Sequence, residues 1–318
     1  MHIEYYNPLY RPPSEARSLI LQATLGCSHN ACSFCYMYKD KRFHVKEEEA
    51  FLEEISVAAS QYPSARRIFL ADGDALVLSA ARLERILDRL GASFPDLQRV
   101  TAYANPANLL GKTVDELRGL REKKLSILYY GVETGDPDLL VKIKKGAAPD
   151  EMAEGCSRAV EAGIKLSITV ILGLAGKSGS QRHARMTAEL LNRIQPRYLS
   201  ALTLMLGPWK ERYASSMGEE FEWNSALDDI VELRELVANL ETDKCIFRSN
   251  HASNYLALKG TLLKDKAALL VALLAALPAV LRAARLDLVS ELQAGGTRAP
   301  SGAQRVRRAL VVGQVALA

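Results

Sequence analysis

The chain has 318 residues, of which 48% are hydrophobic and 25% are charged, a balance that excludes wholesale disorder and a multi-span membrane protein. Its 41 basic and 37 acidic residues leave a formal charge of +4, which is too small to indicate nucleic-acid binding without a localised basic patch. The length allows one large α/β domain with a small appendage.

Cysteine usage and the N-terminal sequence predict a cytoplasmic protein. Five cysteines, three of them within nine residues, do not resemble the evenly spread pairs of a secreted disulfide scaffold. The first eight residues have neither a basic start nor an apolar run, so no signal peptide is predicted. The most apolar stretch, residues 267–284, is short for a membrane span and contains Pro278, which favours a packed helix and no membrane contact.

Strand-like apolar runs alternate with helix-period stretches through the first two thirds of the chain. We predict strands over residues 18–23, 67–71, 99–103, 125–130, 165–172 and 198–206. We predict helices over residues 47–62, 79–90, 150–162, 180–194 and 225–240, with Gly91 closing the second and a further helix beginning at a capping box formed by Thr113 and Glu116. This alternation is typical of βα units around a parallel sheet. Six units favour an α/β fold of the partial (β/α)6 TIM-like barrel type.

The composition predicts four segments. They are an N-terminal arm over residues 1–17, the barrel core over 18–206, an α-rich C-terminal extension over 207–284 that caps the barrel, and a tail over 285–318. A short strand or turn is expected at residues 246–250 in the extension. After residue 266 there are only two acidic residues against six arginines. This change of character marks the tail as an arginine-rich segment to which we assign no function.

Three cysteines directly follow the first predicted strand, at Cys27, Cys32 and Cys35. Loops at the carboxyl ends of parallel strands usually build active sites. Thiolates suit iron–sulfur clusters or zinc, and three of them leave one iron of a cubane without a protein ligand. A structural zinc site with His29 as the fourth ligand is an alternative. A redox-sensing group of thiols is another.

The segment TLGCSHNACSFC, over residues 24–35, resembles the cluster loop of the radical S-adenosylmethionine superfamily. Phe34 occupies the aromatic position that precedes the third cysteine in that family. Four residues separate Cys27 from Cys32, where the commonest family loop has three. The resemblance implies that Cys27, Cys32 and Cys35 ligate a [4Fe–4S] cluster, whose open iron binds S-adenosyl-L-methionine.

The segment at the end of the second predicted strand, Asp72-Gly73-Asp74, matches the family's next motif. In the family, the backbone of this motif holds the amino group of the cofactor, which implies binding roles for Gly73 and Asp74. A glycine lets the backbone approach a ligand closely, and a carboxylate can accept a hydrogen bond from an ammonium group. A simple strand-to-helix turn would also explain the sequence.

Two later segments also resemble the family, in the same chain order. Residues 131–135 resemble the fourth-strand segment of the subgroup that includes oxygen-independent coproporphyrinogen oxidases and methylthiotransferases, where a glutamate, here Glu133, lies near the cofactor. Residues 167–176 resemble the fifth-strand segment that flanks the adenine, which implies a contact from Ile171. An exposed loop acid and a buried strand are the simpler interpretations of these segments.

The resemblance implies a radical enzyme that cleaves S-adenosylmethionine reductively to a 5′-deoxyadenosyl radical, which acts on an unidentified substrate. It also implies an external one-electron donor of the flavodoxin or ferredoxin type. The alternatives are a zinc-stabilised interaction protein and a barrel hydrolase or lyase with incidental cysteines. No RNA-binding module is visible, which disfavours a nucleic-acid partner. The basic run over residues 39–42 is expected to be solvated rather than to steer an anionic substrate.

Overall fold

Ten strands and ten α-helices lie in residues 3–293, the part of the chain that the computed structural model describes, with side chains described as far as residue 282. The strands are β1 (Leu19–Gln22), β2 (Thr24–Leu25), β3 (His44–Val45), β4 (Arg67–Ala71), β5 (Arg99–Ala104), β6 (Leu125–Glu133), β7 (Lys165–Leu172), β8 (Tyr198–Thr203), β9 (Ile246–Arg248) and β10 (Lys259–Thr261). The helices are α1 (Glu48–Gln61), α2 (Ala80–Ser93), α3 (Pro106–Leu110), α4 (Val114–Glu122), α5 (Pro137–Lys142), α6 (Pro149–Glu161), α7 (Gly176–Ile194), α8 (Lys210–Met217), α9 (Ala226–Asn239) and α10 (Lys266–Gln293).

Eight of these strands form one sheet in the order β1-β4-β5-β6-β7-β8-β9-β10. The pairs β1–β4, β4–β5, β5–β6 and β8–β9 are parallel, whereas β10 is antiparallel to β9. Parallel neighbours require a crossover connection, and helices that intervene in the sequence supply it. The predicted α/β fold of the partial-barrel type is confirmed.

All six predicted strands are present, and β4 and β7 have the predicted bounds. Along β7, buried residues alternate with half-buried ones, as expected for a strand whose two faces differ. The prediction that Gly91 closes the second helix is wrong, because α2 continues through it to Ser93. A Cβ at Gly91 would meet no atom within 4 Å, so this glycine neither requires a turn nor ends the helix.

Two compact units divide the chain. The first comprises the residues up to 132 together with residues 140–168, and the second comprises residues 133–139 together with the residues from 169 onward. Fully buried side chains form a core in each unit. Those of the first include Leu21, Phe51, Ile55, Ile68, Phe69 and Leu70, and those of the second include Leu191, Leu199, Tyr213, Val237 and Phe247. The predicted division into arm, core and extension stays a prediction.

The apolar stretch near the C-terminus forms α10, which packs against α9 within the second unit. Leu269, Leu273, Ala276 and Val280 are buried, at the spacing of one helix face. The prediction of a packed helix here is confirmed. Among residues 3–293, no helix is long and apolar enough to cross a membrane. The predicted arginine-rich tail lies outside the described residues from position 294 onward.

Candidate cofactor site

The cysteine loop, residues 26–43, is held at both ends by a small antiparallel ribbon. In this ribbon β2 pairs with β3, so that Thr24 lies opposite Val45 and Leu25 lies opposite His44. The chain turns out of β2 at Gly26, whose φ of +71° is in the left-handed region that favours glycine. The loop that carries the predicted ligands is therefore closed at its base.

The three predicted metal ligands, Cys27, Cys32 and Cys35, lie on this loop, half-buried and in no disulfide. The backbone N–H of Cys35 donates to the carbonyl oxygen of Cys32 at 3.4 Å, which makes a tight turn between the last two. Within residues 3–293, no three Cys, His, Asp or Glu side chains converge on a point where one metal ion would lie. Thiolates that ligate separate irons of a cubane need no common point. Three thiols on one loop are the number of protein ligands that leaves one iron of a cubane open.

His29, the fourth ligand of the zinc alternative, has a different partner. Its Nε2 lies 2.7 Å from the carbonyl oxygen of Lys144. Its ring fills the space beside Gly146, where an added Cβ would lie 3.1 Å from Nδ1. The ring is thereby fixed on the chain segment 143–146, and this geometry does not favour a Cys3His site.

The same segment, residues 143–146, also contacts the cysteine loop at two further points. The backbone N–H of Ser33 donates to the carbonyl oxygen of Ile143 at 2.9 Å. The Lys145 ammonium lies 5.9 Å from the ring centroid of Phe34, a distance at which a cation and an aromatic face attract. Sequence reasoning placed Phe34 in the cofactor site, but it did not detect this support.

Asp72 is fully buried beneath the cysteine loop. Its Oδ2 accepts hydrogen bonds from the backbone N–H of Gly26 at 3.2 Å and from Lys41 Nζ at 2.8 Å. Lys41 belongs to the basic run expected to be solvated, and for this residue the expectation is wrong, because its side chain is only 10% exposed. Asp72 thus connects the end of β4 to both ends of the loop.

Gly73 packs directly against an aromatic ring of the cysteine loop. A Cβ at this position would lie 2.7 Å from Cζ of Tyr38, closer than real atoms approach. The space that the glycine leaves is therefore filled by Tyr38, which is itself buried. A glycine is needed at this position because a larger residue would overlap the Tyr38 ring of the cysteine loop.

Asp74 is the predicted cofactor residue with the most marked electrostatic environment. Its Oδ2 accepts hydrogen bonds from Ser28 of the cysteine loop and, at 2.7 Å, from Nδ2 of Asn105 at the end of β5. Its Oδ1 is buried and accepts no hydrogen bond from the described residues. Burial raises the pKa of Asp74 to about 6, although the hydrogen bond from Ser28 opposes this shift. One oxygen is thus fixed, and the other can accept a bond from a ligand.

The remaining predicted residues, Glu133 and Ile171, belong to the second unit. Glu133 ends β6 with a φ of +64°, a conformation that is uncommon for residues other than glycine. Its side chain is buried. Strained backbone of this kind clusters at functional sites, which fits a required glutamate. Ile171 lies on the half-buried face of β7.

A buried polar network in the second unit escaped sequence reasoning. Glu232 of α9 accepts hydrogen bonds from the backbone N–H of Gly173 at 3.0 Å, Ser180 Oγ at 2.6 Å and Asn224 Nδ2 at 2.9 Å, and its Oε1 lies 2.9 Å from His183 Nδ1. The ring of His183 is 2% exposed. Because Gly173, Ser180 and His183 lie 49 to 59 positions from Glu232 in the sequence, no local pattern could reveal these contacts.

Comparison with known proteins identifies a family. A model of the radical SAM superfamily matches residues 21–186 of the chain. The heme chaperone HemW of Bacillus subtilis (strain 168) is 24% identical over 194 residues, a match that covers 57% of this chain and 49% of HemW.

Two solved structures share the fold. Coproporphyrinogen III oxidase (HemN) from Escherichia coli, described as a radical SAM enzyme, has a TM-score of 0.54 at 18% identity, with 70% of this chain and 51% of HemN covered. Methylornithine synthase (PylB) has a TM-score of 0.50 at 17% identity, with 80% of this chain and 68% of PylB covered. The chain spans about half the length of HemW and HemN.

Proposed function

We propose that this chain, which belongs to the radical S-adenosylmethionine superfamily, assembles a [4Fe–4S] cluster on Cys27, Cys32 and Cys35 and uses it to cleave S-adenosylmethionine. The observation that carries the proposal is that all three thiols lie on one loop, whose base is closed by the β2–β3 ribbon. The family match over residues 21–186 supports a radical SAM enzyme with the cofactors of that family. The ligand assignment and the substrate go beyond it.

The reduced cluster, when bound, supplies the electron that breaks the sulfonium bond of S-adenosylmethionine and yields the 5′-deoxyadenosyl radical. Asp74 is proposed to bind the amino group of the cofactor through Oδ1, since that oxygen is buried and accepts no other bond from the described residues. Phe34 covers the loop beside the cluster ligands. Gly73 holds the loop in place by admitting the ring of Tyr38.

Glu133 and Ile171 are proposed to bind the nucleoside half of the cofactor. The Glu133 carboxylate would accept hydrogen bonds from the ribose hydroxyls, which are good donors for a charged acceptor. Ile171 would cover one face of the adenine from the half-buried side of β7. The support for Glu133 is its strained backbone, which a glycine would adopt at lower cost.

The electron donor is proposed to be an acidic flavodoxin- or ferredoxin-like protein. The segment 143–146, which contacts the cysteine loop, carries the exposed Lys144, and the exposed Lys142 directly precedes it. Basic groups beside a redox site attract an acidic partner. Five cysteines that form no disulfide are typical of a reducing compartment, which supports a cytoplasmic location.

The decisive experiment is anaerobic reconstitution with iron and sulfide, followed by electron paramagnetic resonance of the reduced protein with and without S-adenosylmethionine. We expect about four irons per chain and a [4Fe–4S]⁺ signal that S-adenosylmethionine changes. Replacing any one of Cys27, Cys32 and Cys35 with Ala should abolish the cluster. Cys156→Ala is the matched control, because Cys156 is fully buried in α6 and should leave the cluster intact. A colourless protein that retains one zinc ion would contradict the proposal.

A further inference from the structure

A cavity of about 270 Å³ lies within the second unit, beside the N-terminal half of α9. None of the residues predicted to bind the cluster or S-adenosylmethionine lines it. Leu172, which does, is the neighbour of Ile171 on β7, and successive residues of a strand point to opposite faces of the sheet. The cavity therefore does not include the predicted adenine contact, and its polar groups require their own explanation.

An acidic side chain and an unsatisfied acceptor line this cavity. Asp229 is 4% exposed, and its Oδ1 accepts a hydrogen bond from Asn224 Nδ2 at 2.9 Å. The same Nδ2 donates to Glu232 Oε2 at 2.9 Å, so two carboxylates fix the orientation of the amide. Asn224 Oδ1 consequently points away from both, and it is buried without a hydrogen-bond partner among the described residues. Buried acceptors are rarely left without a donor, which indicates that a donor comes from outside the chain.

A basic group and an aromatic face line the same cavity. The Lys210 ammonium lies 5.0 Å from the ring centroid of Trp223, and both residues contribute to the wall. Lys210 is exposed, so its ammonium can move toward an anionic group. The cavity thus offers an acceptor pair, Asp229 with Asn224 Oδ1, and a cation from a different element, Lys210.

We propose that this cavity binds a small zwitterion of the size of a free α-amino acid. Asp229 and Asn224 Oδ1 would hold its ammonium group, Lys210 would hold its carboxylate, and Trp223 would pack against its carbon atoms. An anion without an ammonium group would be repelled by the Asp229 carboxylate, and a cation without a carboxylate would be repelled by the Lys210 ammonium. At about 270 Å³, the cavity lies just below the usual range for ligand sites, which suits a molecule of the size of an amino acid.

Glu232 has a positioning role in this arrangement. Gly173, Ser180, His183 and Asn224 already surround its carboxylate. It therefore directs the Asn224 amide and leaves Asn224 Oδ1 to the ligand. This assignment does not depend on the cluster, because every group involved belongs to the second unit.

The test uses the intrinsic fluorescence of Trp223. The chain has two tryptophans, so Trp209→Phe leaves Trp223 as the only reporter. The twenty common L-α-amino acids are titrated singly at about pH 8, where the Asp229 carboxyl is ionised although burial raises its pKa to about 7. Each is titrated into the reconstituted protein and into a cluster-free variant in which Cys27, Cys32 and Cys35 are replaced by Ala. We expect at least one to give a saturable change with a Kd below about 10 mM in both proteins. The corresponding amine without the carboxylate, and the acid without the ammonium, should each bind at least about tenfold more weakly.

Variants assign the binding groups. Asp229→Asn retains the shape and the contact with Asn224 but removes the charge, and we expect it to weaken binding about tenfold or more. Lys210→Met should weaken the binding of the amino acid severalfold and remove the preference for the amino acid over the corresponding amine. Asp243→Asn and Lys244→Met are matched controls, because that pair is exposed, and they should leave the Kd unchanged.

The proposal is overturned if no amino acid gives a saturable change, which would leave a bound water as the donor to Asn224. It is also overturned if the amine binds as well as the amino acid, or if Asp229→Asn binds with the Kd of the parent. Binding that persists in the cluster-free variant separates this site from the proposed function. If binding requires the cluster, the amino acid binds at the cofactor site, and the proposal of a separate site is overturned.

Discussion

Lys41 Nζ lies 2.8 Å from Asp72 Oδ2, and the two side chains are 10% and 0% exposed. The same ammonium donates to the carbonyl oxygens of Tyr6 at 2.7 Å and Pro8 at 2.6 Å. One cation therefore connects the N-terminal segment, the cysteine loop and the end of β4. Because this pair is withdrawn from water, each member depends on the other for compensation of its charge.

Lys41→Met is expected to lower the free energy of unfolding by about 3–5 kcal/mol, because it leaves the Asp72 carboxylate buried without its counter-charge. The measurement is urea denaturation followed by circular dichroism. The double variant Lys41→Met with Asp72→Asn should recover at least half of the loss, since it removes both charges. Lys123→Met is the control, because its solvent-screened pair with Asp88 should contribute little to stability. Equal effects of Lys41→Met and Lys123→Met would show that the buried pair is not coupled.

Gly73→Ala is expected to destabilise the protein by about 1–3 kcal/mol, because its Cβ would overlap the ring of Tyr38. It should also lower the yield of cluster on reconstitution, since Tyr38 belongs to the cysteine loop. Gly91→Ala is a matched control within α2, where the new Cβ meets no atom within 4 Å. There we expect a gain of about 0.5–1 kcal/mol from helix propensity. If thermal unfolding showed that both substitutions change the stability in the same direction, this would contradict the packing described for Gly73.

Asp74→Asn is expected to leave the iron content unchanged while weakening the binding of S-adenosylmethionine. The loss of a charge-assisted hydrogen bond should cost about 1.5–3 kcal/mol, which raises the cofactor concentration needed to change the electron paramagnetic resonance signal by about tenfold or more. Asp88→Asn, at an exposed carboxylate, should have no effect on this concentration. An unchanged cofactor response in Asp74→Asn would remove Asp74 from the binding site.

The stability of the second unit should depend on pH through Asp229. Burial raises the pKa of this carboxyl to about 7, and the nearby Glu232 adds to the shift. The folded state then holds a proton that the unfolded state releases near pH 4, so the contribution is complete at low pH and is lost as the pH rises through about 7.

Asp229→Asn removes this titration. Relative to the parent, we expect the variant to gain about 2–4 kcal/mol in the free energy of unfolding when the pH is raised from about 4 to 8. Parallel urea denaturation at these two pH values measures the difference. A constant difference between variant and parent across the range would mean that Asp229 titrates normally in the folded protein.

Local sequence patterns were sufficient for the main strands. β4 is a short apolar run after Arg67, β7 alternates between buried apolar residues and half-buried ones, and both have the predicted bounds. The two-residue strands β2 and β3 could not be predicted, because so short a ribbon carries no periodicity. Gly91 misled the prediction of the end of α2, since a glycine in an open helix position weakens the helix without ending it.

The candidate site was predictable only where its chemistry is local. The three cysteines and Phe34 are recognisable as one segment. Lys41 was expected to be solvated because its partner, Asp72, lies 31 positions away, and a charge in a sequence gives no sign of a distant counter-charge. The same reason hides Glu232, which accepts a hydrogen bond from Gly173, 59 positions away.

The closed base of the cysteine loop has a thermodynamic consequence for metal capture. A free segment that folds around a cluster must lose chain entropy when its ends are brought together, and that loss opposes binding. Here the β2–β3 ribbon and the bond from Gly26 to Asp72 bring the ends together through contacts within the protein. More of the iron–thiolate bond energy therefore appears as affinity.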